Sequence, residues 1–163
     1  MIRIRNAQPS DIPQLLEIGG MLHAETRYRS LPLQRTKVEA MLARYLADRR
    51  GIYAILIAEQ DGVPVGFLFA VVETYWFSDA RVANNIAWYV IPKARGSSAA
   101  PKLLLAFRRW AMNRGAAEIK IGVSSAHLTE RTGRMLTRMG FNMIGGNYSA
   151  QLPPPDSQGA NNE

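Results

Sequence analysis

Apolar positions change their period along this chain several times, and each change marks an element. "MIRIRN" alternates apolar and basic residues, which predicts a short strand at the start. In "PSDIPQLLEIGGMLHAE", Ile12, Leu15, Leu16 and Gly19 recur at helical spacing, with Ser10 placed as N-cap and Pro13 in the first turn. A second helix is expected from Thr36, where Glu39 three residues on completes a capping-box pattern. Val38, Met41, Leu42, Tyr45 and Leu46 form its apolar face, and Gly51 closes it. The period then drops to two. "IYAILIAEQ" and "VPVGFLFAVVETYW" are joined by Asp61-Gly62, a strong hairpin signal, and a loop "FSDARVAN" leads to a further strand "IAWYVIP".

Helical spacing returns at Ala100, Leu103, Leu104, Phe107, Trp110 and Ala111, and Asn113-Arg114-Gly115 stops it. "AEIKIGVSS" reads as a strand, and a short helix is expected from Glu130 to Met139, ended by Gly140. "FNMIGG" and "NYSAQL" are predicted to close the chain as a hairpin. The order is therefore β-α-α-β-β-β-α-β-α-β-β, an α/β fold whose early hairpins and later crossover imply a mixed sheet with helices on both faces. Residues 1–152 make one domain. The remainder, 153–163, has Ala160 as its one apolar residue and is expected to be a disordered tail.

Composition narrows the chemistry. With 163 residues, 47% apolar and 20% charged, the chain is that of an ordinary globular domain. The absence of cysteine excludes disulfides, thiolate nucleophiles and Cys-bound zinc, and two histidines, His23 and His127, argue against a histidine metal cluster. No apolar run has the length of a membrane span and no signal peptide pattern opens the chain, so a cytoplasmic protein without membrane partners is expected. The net charge of +7 is concentrated between Lys93 and Arg138, where ten basic residues face only Glu118 and Glu130. Such a basic half suits a polyanion. Nucleic acid is disfavoured, because charge alone supports it and no binding motif accompanies the charge.

The segment "WYVIPKARGSSAAPKLLLAFRRWAM" joins a strand to a helix through small residues. Successive backbone N–H groups at a helix N-terminus make an anion site, and Pro101 in the first turn removes only an orphan donor. The nucleotide P-loop is excluded, because no Gly-Lys-Ser/Thr follows; a single glycine, Gly96, excludes the dinucleotide motif.

With that element order, Val90-Ile91-Pro92 before Arg95-Gly96-Ser97-Ser98-Ala99-Ala100, and the ending "RMGFNMIGGNY", the chain resembles the GNAT N-acetyltransferase superfamily over roughly residues 1 to 150. Arg95 and Ala100 match the family's pyrophosphate loop, and Ser98 stands where glycine is usual. The resemblance implies a mixed, mostly antiparallel sheet of 6–7 strands and acetyl-CoA as cofactor. It implies that the backbone of Trp88, Tyr89 and Val90 pairs with the pantetheine arm. The N–H groups of Arg95, Gly96, Ser97, Ser98, Ala99 and Ala100 would hold the pyrophosphate, and Thr129 stands where relatives often place a cofactor-contacting asparagine. It implies an acetyl transfer to a primary amine of a small molecule or a protein, and it admits a homodimer. "WFSDARVANNIAWYVIPKARGS" and "SSAHLTERTGRML" further resemble the small acetyltransferases of tailed phages and prophages, for which a host protein would be an acceptor.

The catalytic positions depart from that pattern. Leu136 stands where many relatives carry the tyrosine that protonates the leaving thiolate, and Ser124 and Asn84 stand where two groups of relatives carry a glutamate base. The substitutes in this sequence are Glu73 at the end of the third strand, His127 on the loop after the fifth, and Tyr148 as thiolate acid, with Tyr75, Trp76 and Phe77 available to line an acceptor pocket. The alternative is a catalytically degenerate member that binds CoA or a host protein without turnover.

Overall fold

The computed structural model describes residues 1–123 and 129–152 of the chain. Five strands form one sheet in sequential order: β1 (Ile2–Asn6), β2 (Tyr53–Gln60), β3 (Val63–Tyr75), β4 (Ser78–Val90) and β5 (Ala116–Lys120). The first four pair antiparallel, and β5 joins β4 in parallel after a helical crossover. Among the described residues four α-helices flank it: α1 (Ile12–Glu25), α2 (Arg35–Leu46), α3 (Ala99–Asn113) and α4 (Thr129–Arg138).

Strand alternation sorts the core into two layers. In β2, Ile55 and Ile57 point with Phe67, Phe69 and Tyr89 toward Leu15 and Ile18 of α1 and Leu42 of α2. Their neighbours Ala54, Leu56 and Ala58 point the other way, with Leu68, Ala70 and Ala83, toward α3 and Leu136 of α4. The small residues on this second face let α3 come close. Its Leu103, Leu104 and Phe107 are fully buried, contributing about 1.5–3 kcal/mol each before ordering entropy is counted. Helices on both faces of a mixed sheet are as expected.

Several details differ from expectation. The sheet has five strands among the described residues, not 6–7, because the closing hairpin does not form: residues 141–152 carry no strand. Only Phe141 of this segment packs on the core; Met143, Ile144 and Tyr148 stand in solvent, so little apolar burial offsets the cost of ordering a hairpin. The expected loop "FSDARVAN" is mostly strand. β3 and β4 continue to a tight turn at Trp76-Phe77, with Tyr75 opposite Ser78, because Val82 and Ala83 are buried and keep the pairing favourable.

Ser10 is not the cap of α1. Asp11 occupies that position, and its carboxylate accepts from the Gln8 amide at 2.7 Å and from both Arg5 terminal nitrogens at 2.8 and 2.9 Å. α2 starts at Arg35 behind Gln34 with no side-chain cap, so the Thr36–Glu39 box is not used.

Two irregularities shape the centre. Phe69 pairs with Ala87 and Ala70 with Asn85, which leaves Ile86 as the extra residue of a β-bulge in β4. Just before it, after Asn84, β4 and β5 separate.

Candidate active site

Parallel pairing of β4 with β5 ends at Asn84 opposite Lys120. One residue further, the Asn85 side chain brackets the opening: the Gly122 amide donates to Asn85 Oδ1 at 2.7 Å, and Asn85 Nδ2 donates to the Gly122 carbonyl at 3.3 Å. From there to Val90 this edge of β4 has no strand beside it among the described residues. The space between is a cleft of about 550 Å³, walled by residues 85–90 on one side and by Gly122, Val123 and α4 on the other. Ala94 to Ser97, Ala100 and Pro101 close one end, and Leu22, Thr26 and Tyr28 line the other layer.

The loop between β4 and α3 has its amides divided. Arg95 donates to the Pro92 carbonyl, Ser97 to that of Ala94, and Ala99 to Ser97 Oγ, at 3.2, 3.3 and 3.2 Å. Among the described residues the amides of Gly96, Ser98 and Ala100 have no acceptor. They stand at the N-terminus of the 15-residue α3, the positive end of its dipole. Gly96 adopts φ +89°, open to glycine at little cost, and an added Cβ there would come within 3.5 Å of an Arg131 terminal nitrogen. Arg131, Arg134 and Arg138 all face the cleft from one side of α4. Arg134 pairs loosely with Glu130 at 3.6 Å, and the other two form no ion pair with a described residue.

Arg95 itself turns inward. Its Nε donates to the Val90 carbonyl at 3.1 Å, its terminal nitrogen binds the Glu25 carboxylate, and the guanidinium lies 5.3 Å from the centre of the Tyr89 ring. It therefore fastens the loop to the end of α1 and the end of β4, with its charge largely answered by Glu25. Among the described residues the Tyr89 hydroxyl is enclosed without a well-formed hydrogen bond, and burial, reinforced by Glu25 and opposed by Arg95, pushes it up to about 12. It stays protonated.

A second cavity of about 270 Å³ lies between α1, α2 and the sheet, and it shares Leu22, Thr26, Tyr28, Ile86 and Ala87 with the cleft. Its walls are apolar apart from His23, Thr26, Tyr28 and Arg35. His23 Nε2 is enclosed and unpartnered among the described residues.

The residues singled out in the sequence are divided by the fold. Trp88, Tyr89, Val90, Arg95, Gly96, Ser97 and Ala100 line the cleft; Ser98, exposed at the N-cap of α3, and Ala99, buried at its first residue, do not. Val90 gives its carbonyl to Arg95. Thr129 opens α4 in solvent and does not line the cleft. Glu73 accepts from Asn84 Nδ2 at 3.1 Å. It sits four residues past Phe69 on the α1/α2 face, about 13 Å at the rise of a strand, and lines neither cavity. Tyr148 is fully exposed. Tyr75, Trp76 and Phe77 form the far tip of the β3–β4 hairpin and line neither cavity. Tyr75 bonds Glu118, and Trp76 is 96% exposed. His127, with Ser124, lies outside the described residues. What the sequence reading missed is the α4 arginine face, whose i, i+3, i+7 spacing was visible in the sequence, and the second cavity, which no spacing announces.

Unpaired amides with an arginine face suit a pyrophosphate, and a free strand edge suits an extended arm bearing amides. The family model described as "Acetyltransferase (GNAT) family" matches residues 19–141. No curated protein matches the chain. Among solved structures it is similar to AAC(6')-Iy in complex with a CoA-containing bisubstrate analogue, at 20% identity and TM-score 0.73 over 94% of this chain and 99% of that one. Ribosomal-protein-alanine N-acetyltransferase from Brucella melitensis biovar Abortus 2308 gives 16% and 0.70 over 94% and 100%. Glucosamine-6-phosphate N-acetyltransferase from Arabidopsis thaliana gives 12% and 0.74 over 94% and 99%. At these identities the likeness establishes the fold.

Proposed function

The chain belongs to the GNAT acetyltransferase family, and from that premise we propose that it transfers an acetyl group from acetyl-CoA to a primary amine. The observation that carries this reading is the conjunction of three unpaired amides at the start of α3, an arginine face opposite them, and the strand edge left free where β4 parts from β5. Gly96, Ser98 and Ala100 would hold the pyrophosphate through their amides, with Arg131, Arg134 and Arg138 supplying countercharge. The free edge of β4 around Trp88 and Tyr89 would hold the pantetheine arm, and the Ile86 bulge would direct the thioester toward the second cavity. Acetyl-CoA supplies an acetyl group activated as a thioester.

The new bond joins the amine nitrogen to the acetyl carbon as the carbon–sulfur bond breaks. The nitrogen must lose a proton, and the thiolate must gain one. His127 is the base this reading favours. Between Val123 and Arg131, both on the cleft wall, it comes in the intervening sequence, and its ordinary pKa of about 6.5 suits the task. From its position Glu73 would act only across intervening water. Tyr148 is the remaining hydroxyl candidate for the thiolate, but water suffices, because a free thiol has a pKa of about 8.5.

Thermal unfolding with acetyl-CoA tests the cofactor. The melting temperature should rise with ligand concentration, because binding to the folded state alone stabilises it by mass action. Ser98→Asp should abolish most of that rise, and a parent protein that shows none would overturn the reading. For the base, His127→Ala should lower turnover by about 10²-fold and remove a kinetic pKa near the histidine range, with Glu73→Gln changing turnover less. Equal and negligible effects of both would assign deprotonation to bulk water.

A further inference from the structure

The second cavity carries an inference about the acceptor, and it rests on the acetyl-transfer reading above. We infer that this cavity receives the body of the acceptor, and that the acceptor is a primary amine on a compact apolar frame, aromatic or aliphatic, without further cationic groups.

The first ground is a pair of glycines. Gly19 and Gly20 lie in the interior of α1, where glycine is the least favourable residue short of proline. Neither has a positive φ, so neither is needed for backbone conformation. An added Cβ on either would meet nothing within 4 Å, so neither is needed for close packing. Both line the cavity. Side chains here would fill the space that their absence keeps open, and the helix forgoes its own stability for that space.

Continuity supplies the second ground. The cavity meets the cleft at Ile86 and Ala87, on the bulge where the free edge of β4 begins, so an amine at that junction would reach the cleft while its frame lay against Phe67 and Phe69.

Charge supplies the third. Among the described residues no carboxylate lines the cavity. The one fixed cation among its described lining residues, Arg35, is already bound to Glu17 at 2.5 Å. A polyamine or an amino sugar would have to bury ammonium groups with no counter-ion, which is strongly unfavourable. A single amine escapes that cost, because it reacts in the neutral form.

The test uses the whole protein, loaded with CoA for binding and with acetyl-CoA for turnover, and two probes, 2-phenylethylamine and spermidine. The CoA-loaded protein should bind 2-phenylethylamine and acetylate it in preference to spermidine. Gly20→Leu should weaken binding and kcat/KM for 2-phenylethylamine by about tenfold or more, the scale of a changed contact in an apolar pocket. Its melting temperature should not fall, and its acetyl-CoA affinity should match the parent's, since Gly20 does not line the cleft. Gly20→Ala should raise the melting temperature. Preference for spermidine, no binding of 2-phenylethylamine, or a Gly20→Leu variant that handles it like the parent would each overturn the inference. Failure of the underlying reading would look different, because acetyl-CoA itself would then produce no thermal shift.

Discussion

At the scale of single residues, one tight charge cluster lies away from the cleft. Asp11 and Glu59 converge on Arg5, Asp11 through two bonds and Glu59 through Nε at 2.7 Å. The bonds from Arg5, outweighing burial, hold the Asp11 carboxyl below its ordinary value. A depressed folded-state pKa means this stability is complete above the unfolded value, near 4, and is lost as pH falls through the folded one. Asp11→Asn should therefore lower stability by about 1–3 kcal/mol at neutral pH and flatten the loss of stability below about pH 4. Urea unfolding across that range measures both effects; a variant with the parent's acid slope would assign the slope to other carboxylates. Arg95 is the opposite case, since its role could not be inferred from charge. The family resemblance gave only its backbone N–H a part, at the pyrophosphate, and said nothing of the guanidinium, which turns to Glu25 and the Val90 carbonyl.

Whole elements were the more legible level. The apolar stripe of α3 matches what its spacing predicted, with Leu103, Leu104, Phe107 and Ala111 buried, because one amphipathic helix on one sheet face leaves little choice. α4 ends where Gly140 marks it. The Phe141 amide donates to the Leu136 carbonyl and the Gly140 amide to that of Thr137, each at 3.0 Å, a Schellman motif with Gly140 at φ +85°. Arg108 of α3 adds a bond to the Met139 carbonyl at 3.2 Å and lies over the Phe141 ring. Gly140→Ala should destabilise the protein by about 1 kcal/mol and weaken acetyl-CoA binding, since the same helix carries the arginine face. Calorimetry with and without ligand would separate the two, and an unchanged Kd would mean that the arginines are positioned independently of the helix end.

For the molecule as a whole, the basic excess becomes meaningful only when the fold gathers it. Arg131, Arg134 and Arg138 converge on the amides of the α3 loop from an element more than thirty residues downstream. Arginines on a water-open wall are screened by salt. Raising ionic strength from about 0.1 M to about 1 M shortens the Debye length from about 10 Å to about 3 Å. Acetyl-CoA affinity should accordingly fall several-fold over that range, and the double variant Arg131→Gln, Arg138→Gln should lose most of this dependence along with affinity. A parent Kd insensitive to salt would remove the arginines from the cofactor site. No helix among the described residues is long and apolar enough to cross a membrane.

Local chemistry determined, from sequence alone, that this chain would build a mixed sheet between two layers of helices and would present a bare loop at the start of α3. Period-two and period-3.6 patterns, the Asp61-Gly62 turn and the glycine stops act over a few residues and are written in order along the chain. The strand count depended on something else: the fold offers residues 142–152 no partner surface, and their apolar side chains Met143, Ile144 and Leu152 stay in solvent. The extent of β4, the bulge at Ile86, the parting from β5 and the cavity beneath Gly19 and Gly20 were likewise decided in tertiary structure. Each is a relation between segments distant in sequence, and a void has no residue of its own to announce it.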